Sequence, residues 1–144
     1  MMRSQLSRRR STSKHLRPAS IEPLECRIAP ASFTPAGTVL TINLQAQNEA
    51  ITFTTDGTTI TAALTGGTVT GSGVGGVGTS TATITSATYN SIMITDGSTG
   101  NAVHFGPSGA SSYGQAFMVN FSSNAGDVTF TGASTFNLLS LIHI

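Results

Sequence analysis

The stretch AITFTTDGTTITAALT, residues 50–65, decides the fold class of this chain. Apolar and polar residues alternate on both sides of the dipeptide Asp56-Gly57. The apolar positions are Ile51, Phe53, Ile60, Ala62 and Leu64. Alternation with a period of two is typical of a β-strand with one buried face, and Asp-Gly between two such runs is typical of a tight reversal. The stretch predicts an antiparallel β-hairpin.

The same alternation recurs through the rest of the chain, separated by Gly, Ser, Asn and Asp. It begins at Val39–Leu44, and the later apolar positions are Ala82 and Ile84, Ile92 and Ile94, Val103 and Phe105, Phe117, Val119 and Phe121, and Val128 and Phe130. There is no Trp, and the Leu, Glu, Lys and Arg residues that build helices are scarce after residue 27. The composition therefore predicts an all-β fold.

A faint internal repeat favours stacked units. An apolar pair is followed nine or ten residues later by a second pair, in blocks about 35 to 42 residues apart. The blocks are Ile42 and Leu44 with Ile51 and Phe53, Ala82 and Ile84 with Ile92 and Ile94, and Val119 and Phe121 with Val128 and Phe130. Self-similarity at this spacing is typical of repeat architectures. We expect a parallel β-solenoid, or β-helix, with the Asp56-Gly57 hairpin as a cap; a β-sandwich is the alternative.

Residues 127–137, in which Gly132 separates Phe130 from Phe136, loosely resemble the repeats of autotransporter-type β-helical passenger domains. The resemblance covers under a dozen residues. It implies a β-helical repeat region and carries no catalytic motif.

The first 27 residues hold every lysine and arginine of the chain: Arg3, Arg8, Arg9, Arg10, Lys14, Arg17 and Arg27. With Glu22 and Glu25 this segment carries a net charge of about +5, whereas the remainder carries about −4. So sharp a division is typical of an address segment ahead of a mature region. We therefore expect residues 1–32 to be a disordered leader. The apolar run of a standard secretory signal is missing, and an Arg- and Ser-rich start also fits an organellar import peptide.

The second half of the leader resembles a known export signal. Residues 21–31, IEPLECRIAPA, are similar to the LEPR-type sorting sequence that opens many large secreted and surface proteins of planctomycetes. The matching residues are Glu22, Pro23, Leu24, Glu25, Arg27, Ile28, Ala29, Pro30 and Ala31; the chain departs from the pattern at Ile21 and Cys26. The resemblance implies recognition by export machinery and delivery to the cell surface or the extracellular space.

Two glycine-rich segments invite a ligand-binding interpretation. Residues 73–78, GVGGVG, match the G-x-G-x-x-G pattern, but a dinucleotide site needs a helix next, and the following residues 79–85 have strand character. Residues 96–101, DGSTGN, offer oxygen ligands with a single carboxylate, which is more typical of a turn than of a calcium site. We predict a flexible glycine loop and a turn, with no cofactor and no metal.

The sequence shows no cluster of residues that could form a catalytic site. Four acids follow the leader and are scattered along the chain without any Lys or Arg: Glu49, Asp56, Asp96 and Asp127. His104 stands between two apolar residues, as an outward-facing strand residue would. We therefore predict that the chain is not an enzyme. Because no aromatic residue interleaves with the basic tract, we expect no nucleic-acid partner. No run approaches the roughly 20 apolar residues of a transmembrane helix.

Residues 139–144, LSLIHI, differ in composition from the Thr- and Gly-rich sequence before them. They resemble the translation of a transposase adapter used in sequencing libraries. We therefore expect a β-repeat region over residues 33–138 that is cut short before an adapter-derived tail. The function expected is that of an amino-terminal fragment of an exported β-repeat protein, noncatalytic, with a structural or adhesive role and with glycans or extracellular matrix as partners. The alternative is a secreted polysaccharide-processing enzyme whose active site lies outside these residues.

Overall fold

A computed structural model of the chain describes residues 30–106, 112–121, 126–131 and 137–143, the last range by its backbone. Within these ranges the chain forms strands and no helix, so the all-β prediction is confirmed. The strands are β1 (Ala31–Ala36), β2 (Val39–Leu44), β3 (Ala50–Thr55), β4 (Thr59–Thr65), β5 (Val69–Gly71), β6 (Thr81–Thr85), β7 (Ser91–Asp96), β8 (Ala102–Phe105), β9 (Ala116–Phe121), β10 (Asp127–Phe130) and β11 (Asn137–His143).

The strands form two sheets. The first sheet has the order β11-β9-β7-β2-β1-β5, and the second has the order β10-β8-β3-β4-β6. Both contain parallel and antiparallel neighbours. The architecture in the described residues is therefore a pair of mixed sheets, and it is not a closed solenoid.

The predicted hairpin is confirmed. Strands β3 and β4 pair antiparallel, with Ile51 opposite Leu64. In the connection, Asp56 Oδ1 accepts hydrogen bonds from the backbone N–H groups of Thr58 at 2.8 Å and Thr59 at 2.7 Å. Gly57 has a φ of +94°, a left-handed conformation that favours glycine. The carboxylate and the glycine together fix the reversal.

The hairpin belongs to a block, residues 31–85, that pairs largely with itself; we call it the amino-terminal block. In the first sheet β1 pairs antiparallel with β2 and parallel with β5. In the second sheet β4 pairs antiparallel with both β3 and β6. Each sheet thus contains three strands from this one segment.

The later strands add in parallel. In the first sheet β7 pairs with β2, β9 with β7, and β11 with β9; in the second sheet β8 pairs with β3, and β10 with β8. The chain moves from the first sheet to the second each time, from β2 to β3, from β7 to β8 and from β9 to β10.

The repeat predicted from the sequence was wrong in its phase and its length. Strand β6, with Ala82 and Ile84, pairs antiparallel with β4 rather than opening a stacked unit with β7. Val39 is aligned with Ser91, and Ser91 with Ala116, so equivalent strands lie 52 and then 25 residues apart in the sequence. The first interval is longer because β4, β5 and β6 are inserted between β3 and β7.

One apolar core lies between the two sheets. Burial alternates along the strands, because successive side chains of a strand point to opposite faces of the sheet. The ring centroids of Phe53 in the second sheet and Phe117 in the first are 5.4 Å apart, so side chains of the two layers touch. Each fully buried phenylalanine contributes about 1.5–3 kcal/mol through removal of its surface from water.

The segment boundaries differ from those drawn on the sequence. Strand β1 begins at Ala31, inside the segment assigned to the leader, and residues 139–143 belong to β11. The predicted disorder of residues 1–29 lies outside the described residues, as do Glu22, Pro23, Leu24, Glu25, Arg27, Ile28 and Ala29 of the sorting motif. In the autotransporter-like stretch Phe130 ends β10, while residues 132–136 lie outside the described part.

Candidate functional site

Eight threonines line the outer side of three adjacent strands of the second sheet, and we call the surface formed by seven of them, all but Thr65, the threonine face. Its members are Thr52 and Thr54 on β3, Thr59 and Thr61 on β4, and Thr81, Thr83 and Thr85 on β6. They point outward because the alternate residues of the same strands, such as Ile51 and Ile60, are fully buried.

The threonines of this face are aligned across the strands. Thr61 lies between Thr54 and Thr83 as their register partner, and Thr59 is aligned with Thr85. In the next row Ala63 stands between Thr52 and Thr81. The result is a two-dimensional grid of three rows in which two positions lack threonine, namely Ala63 and the position beside Thr59, where β3 has ended.

The hydroxyl groups of the face differ from those of two threonines elsewhere in the chain. Thr79 donates its hydroxyl to the carbonyl of Gly76 at 2.7 Å, and Thr70 donates to the carbonyl of Ala31 at 3.0 Å. Within the described residues, no hydroxyl of the threonine face makes a side-chain hydrogen bond of this kind. Thr83 and Thr85 are exposed, and the other five threonines of the face are half-buried.

His104 extends one row of the face onto the parallel strands. It is aligned with Thr52 on β3 and with Thr129 on β10, and its Nδ1 contacts the Thr129 hydroxyl. The prediction of an outward-facing strand histidine is confirmed by its position between the buried residues Val103 and Phe105.

The outer side of the first sheet is chemically mixed. One row aligns Thr41, Met93 and Met118. The next row aligns Asn43 with Thr95, which is aligned in turn with Asn120. Side chains of unequal length and polarity alternate here, so this surface has no grid comparable to the threonine face.

The glycine-rich loop, residues 71–80, lies along the outer edges of β5 and β6. Gly75 and Thr83 exchange two backbone hydrogen bonds, of 2.9 and 3.1 Å. Gly78 N–H donates to the carbonyl of Val69 at 2.8 Å, and the Tyr89 hydroxyl donates to the carbonyl of Gly73 at 2.9 Å. As predicted, a strand follows this loop, namely β6. The loop is tied to both sheets at its backbone and covers strand edges that would otherwise expose hydrogen-bonding groups.

A second polar feature is buried where the chain passes from the first sheet to the second. Glu49 and Asn101 occupy equivalent positions before β3 and β8, with exposed fractions of 1% and 0%. The Asn101 side-chain carbonyl accepts the backbone N–H of Glu49 at 2.9 Å, and the Glu49 carbonyl accepts the N–H of Ala102 at 2.9 Å. The Asn101 carbonyl accepts the N–H of Asp127 at 3.1 Å. We call this stack the polar corner.

The Glu49 carboxyl is the most perturbed group of the polar corner. Its Oε2 accepts the N–H of Ala46 at 3.3 Å, while Oε1 is buried and has no hydrogen-bond partner in the described part of the chain. Burial raises the pKa of the Glu49 carboxyl above its usual value, and the backbone N–H groups of Ala46 and Gln45 offset part of that rise.

The segment 96–101 forms the predicted turn between β7 and β8. The Asn48 N–H donates to the carbonyl of Thr99 at 3.1 Å, so this turn lies against the preceding one. The sequence did not indicate that Asp96, at 7% exposure, would be buried. Among the residues that the structure describes, no group of three or more His, Cys, Asp or Glu side chains is arranged to hold a metal ion.

The sequence contains a repeat that includes the polar corner, and this repeat was not predicted. The register of β3, β8 and β10 aligns three segments: EAITF at residues 49–53, NAVHF at 101–105 and GDVTF at 126–130. Each has an apolar residue at the third place and phenylalanine at the fifth. The polar first residue, Glu49 or Asn101, marks the corner.

The described residues include no lysine or arginine, since all seven lie in the first 27 positions. A search of the described part of the chain for helices long and apolar enough to span a bilayer found none. Comparison with protein-family models, with curated proteins and with solved structures gave no match.

Proposed function

We propose that this chain is part of an exported, noncatalytic β-solenoid with a structural or adhesive role at the cell surface or in the extracellular space. The observation that carries the proposal is the parallel addition of β7, β9 and β11 to β2, matched by the addition of β8 and β10 to β3. Repeated transfer between the two sheets gives successive layers of similar cross-section, which is how elongated repeat proteins present long surfaces.

In this proposal the amino-terminal block is the cap of the solenoid, and each later pair of strands is one coil. The cap closes one end because the glycine-rich loop bonds to the edges of β5 and β6. Strands β10 and β11 lie at the other edges of their sheets. A cap with internal antiparallel pairing followed by parallel coils also explains why both sheets are mixed.

The surface chemistry supports adhesion to neutral partners. The outward rows include threonine, serine, asparagine and methionine, and the described residues contain no lysine or arginine. Short hydroxyl and amide groups can exchange hydrogen bonds with glycans or extracellular matrix, whereas phosphate would be repelled by the net negative body. We therefore propose glycan or matrix contacts and no nucleic-acid partner.

Layering is tested by cross-linking. Thr41 and Met93 are outward-facing register partners on β2 and β7. A Thr41→Cys, Met93→Cys chain should form a disulfide under mild oxidation, and Thr41→Cys with Met118→Cys, one strand further away, should not. Equal cross-linking of both pairs would contradict the stacking order.

Export is tested by fusing residues 1–35 to a reporter in a planctomycete host. The reporter should reach the cell surface or medium, and replacing Glu22, Pro23, Leu24, Glu25 and Arg27 with alanine should retain it inside, because the resemblance to the sorting sequence rests on those residues. The matched control replaces Ser11, Thr12 and Ser13, which lie outside the motif. Retention of the unaltered fusion in the cytoplasm would overturn the export part of the proposal.

Adhesion and the absence of catalysis are tested with the purified 144-residue chain on immobilised neutral polysaccharides. We expect retention on the polysaccharide without release of soluble sugars. Release of reducing ends by the purified chain would overturn the noncatalytic assignment.

A further inference from the structure

The threonine face has a feature that general adhesion does not require, namely regular spacing in two directions. Neighbouring strands of a sheet lie about 4.8 Å apart, and alternate residues along one strand about 6.7 Å apart. Thr54, Thr61 and Thr83 follow the first direction as register partners, and Thr81, Thr83 and Thr85 follow the second. The positions of the hydroxyl and methyl groups are therefore set by the backbone.

The spacing of about 4.8 Å between neighbouring strands is close to an oxygen–oxygen distance in ordered water. Two oxygens that are both hydrogen-bonded to one tetrahedral water at about 2.8 Å lie about 4.6 Å apart. A row of threonine hydroxyls across β3, β4 and β6 can therefore replace a row of water oxygens with a mismatch of about 0.2 Å per strand. The geometry points to an ice-binding surface formed by the threonine face.

Three properties of the side chains favour this ligand. Threonine is branched at Cβ, so its χ1 is restricted and little freedom is lost when the hydroxyl is held in a lattice. The hydroxyls of the face make no hydrogen bond to the described part of the protein, so their bonding capacity is available to water. The grid itself contains threonine and Ala63, and the one charged side chain beside it, Asp56, lies at its margin next to Thr59.

The face also lacks the features that select an individual sugar ring, although its hydroxyls can still contact an extended polysaccharide. Recognition of sugar rings relies on aromatic side chains or on converging polar groups in a concave site, and the outward residues of β3, β4 and β6 include no aromatic ring. An extended crystalline surface, in contrast, needs many equivalent weak contacts on one side of a sheet. Ice binding goes beyond the proposed structural role and requires neither export nor a partner protein.

The test uses the purified 144-residue chain and single ice crystals in a nanolitre osmometer. We expect a gap between melting and growth temperatures together with faceted crystals. Thr61→Lys places a charged, longer side chain at the centre of the grid and should abolish both effects. Thr41→Lys is the matched control, because Thr41 lies outward at an interior strand of the other sheet, and it should leave both effects intact.

Folding of each variant is checked by circular dichroism. Thr83→Lys serves as a second disruption, since Thr83 is exposed on β6 and tolerates a long side chain, and it should also abolish the effects. The inference is overturned if the folded unaltered chain leaves ice growth unchanged, or if Thr41→Lys is as damaging as Thr61→Lys. It is also overturned if Thr61→Lys removes binding to a neutral polysaccharide while the chain never affects ice; that outcome would leave the adhesive proposal standing.

Discussion

The phenyl ring of Phe105 lies nearly parallel to that of Phe53, with an interplanar angle of 21° and ring centroids 5.5 Å apart. The ring of Phe130 continues the stack at 5.2 Å and 15°. The three residues are register partners on β3, β8 and β10. The same position in successive strands is thus filled by the same side chain, and each stacked pair adds about 0.5–1.5 kcal/mol beyond the burial of its surface.

Truncation of Phe105 should therefore destabilise the fold more than truncation at the end of the stack. Phe105 is 1% exposed and also lies 4.9 Å from Phe117, so Phe105→Ala should cost about 3–5 kcal/mol in the free energy of unfolding. Phe130 is 48% exposed, and Phe130→Ala should cost about 1–2 kcal/mol. Urea denaturation followed by circular dichroism measures both, and equal losses would contradict the stack as a source of stability.

The glycine-rich loop offers a matched pair of substitutions. Gly76 and Gly78 have φ values of +81° and +85°, and a Cβ at Gly76 would lie 1.9 Å from the Thr81 carbonyl oxygen, whereas at Gly78 nothing lies within 4 Å. Gly78→Ala should cost about 1–2 kcal/mol through backbone strain. Gly76→Ala should cost more, because the loop must move off β6.

The same pair tests the loop as an edge cover. Displacement of the loop exposes backbone groups of β6, so Gly76→Ala should also increase self-association on gel filtration as concentration rises, and Gly78→Ala should not. Identical stability and identical elution of the two variants would show that the contact with Thr81 has no structural role.

Glu49 should make the protein less stable as pH rises. Because burial raises the folded-state pKa of the Glu49 carboxyl, the folded state holds its proton more tightly than the unfolded state does. Stability is then greatest below the unfolded-state pKa of about 4.3 and falls as pH rises through the folded-state pKa. Thermal unfolding from pH 4 to 8 should show this fall in the unaltered chain, and Glu49→Gln, which does not titrate, should flatten it.

Asp56 should make the protein less stable as pH falls, which is the opposite of the effect of Glu49. Hydrogen bonds from the backbone N–H groups of Thr59 and Thr58, and from the Thr58 hydroxyl, lower the pKa of the Asp56 carboxyl. Its contribution is present above the unfolded-state pKa of about 3.9 and is lost as pH falls through the folded-state pKa. Asp56→Asn should therefore reduce the loss of stability below pH 4 and leave the Glu49 effect at higher pH unchanged. A shift of the high-pH limb in Asp56→Asn would mean that the two groups are coupled.

The strands could be predicted because the apolar alternation is local. Each run from Val39–Leu44 to Phe117, Val119 and Phe121 became a strand with the expected buried face, and the Asp56-Gly57 reversal formed as anticipated. Val128 and Phe130 also became a strand, β10, but Phe130 is 48% exposed. Strands β1, β5 and β11 were not predicted. Strand β5 has three residues, too few to show a period, and most of β11 falls in the residues assigned to the tail.

The sequence did not allow us to predict which strands are neighbours in the sheets. Ala82 and Ile84 have the same pattern as Ile92 and Ile94, yet β6 pairs antiparallel with β4 and β7 pairs parallel with β2. Alternation identifies which face of a strand is buried and contains no information about its neighbour. Two polar residues carried further information, Glu49 before β3 and Asn101 before β8, because their burial depends on contact between turns that are far apart in the sequence.

The self-pairing of residues 31–85 bears on the order in which this protein acquires its structure. Three strands of each sheet are complete before β7 is synthesised. The growing polypeptide therefore already presents two strand edges, those of β2 and β3, to which later strands can pair. The β8–β10 parallel contact then joins residues 25 positions apart, a short loop whose closure has a modest entropic cost. The sheets can thus grow in the direction of translation, because each new strand pairs with a strand that was synthesised before it.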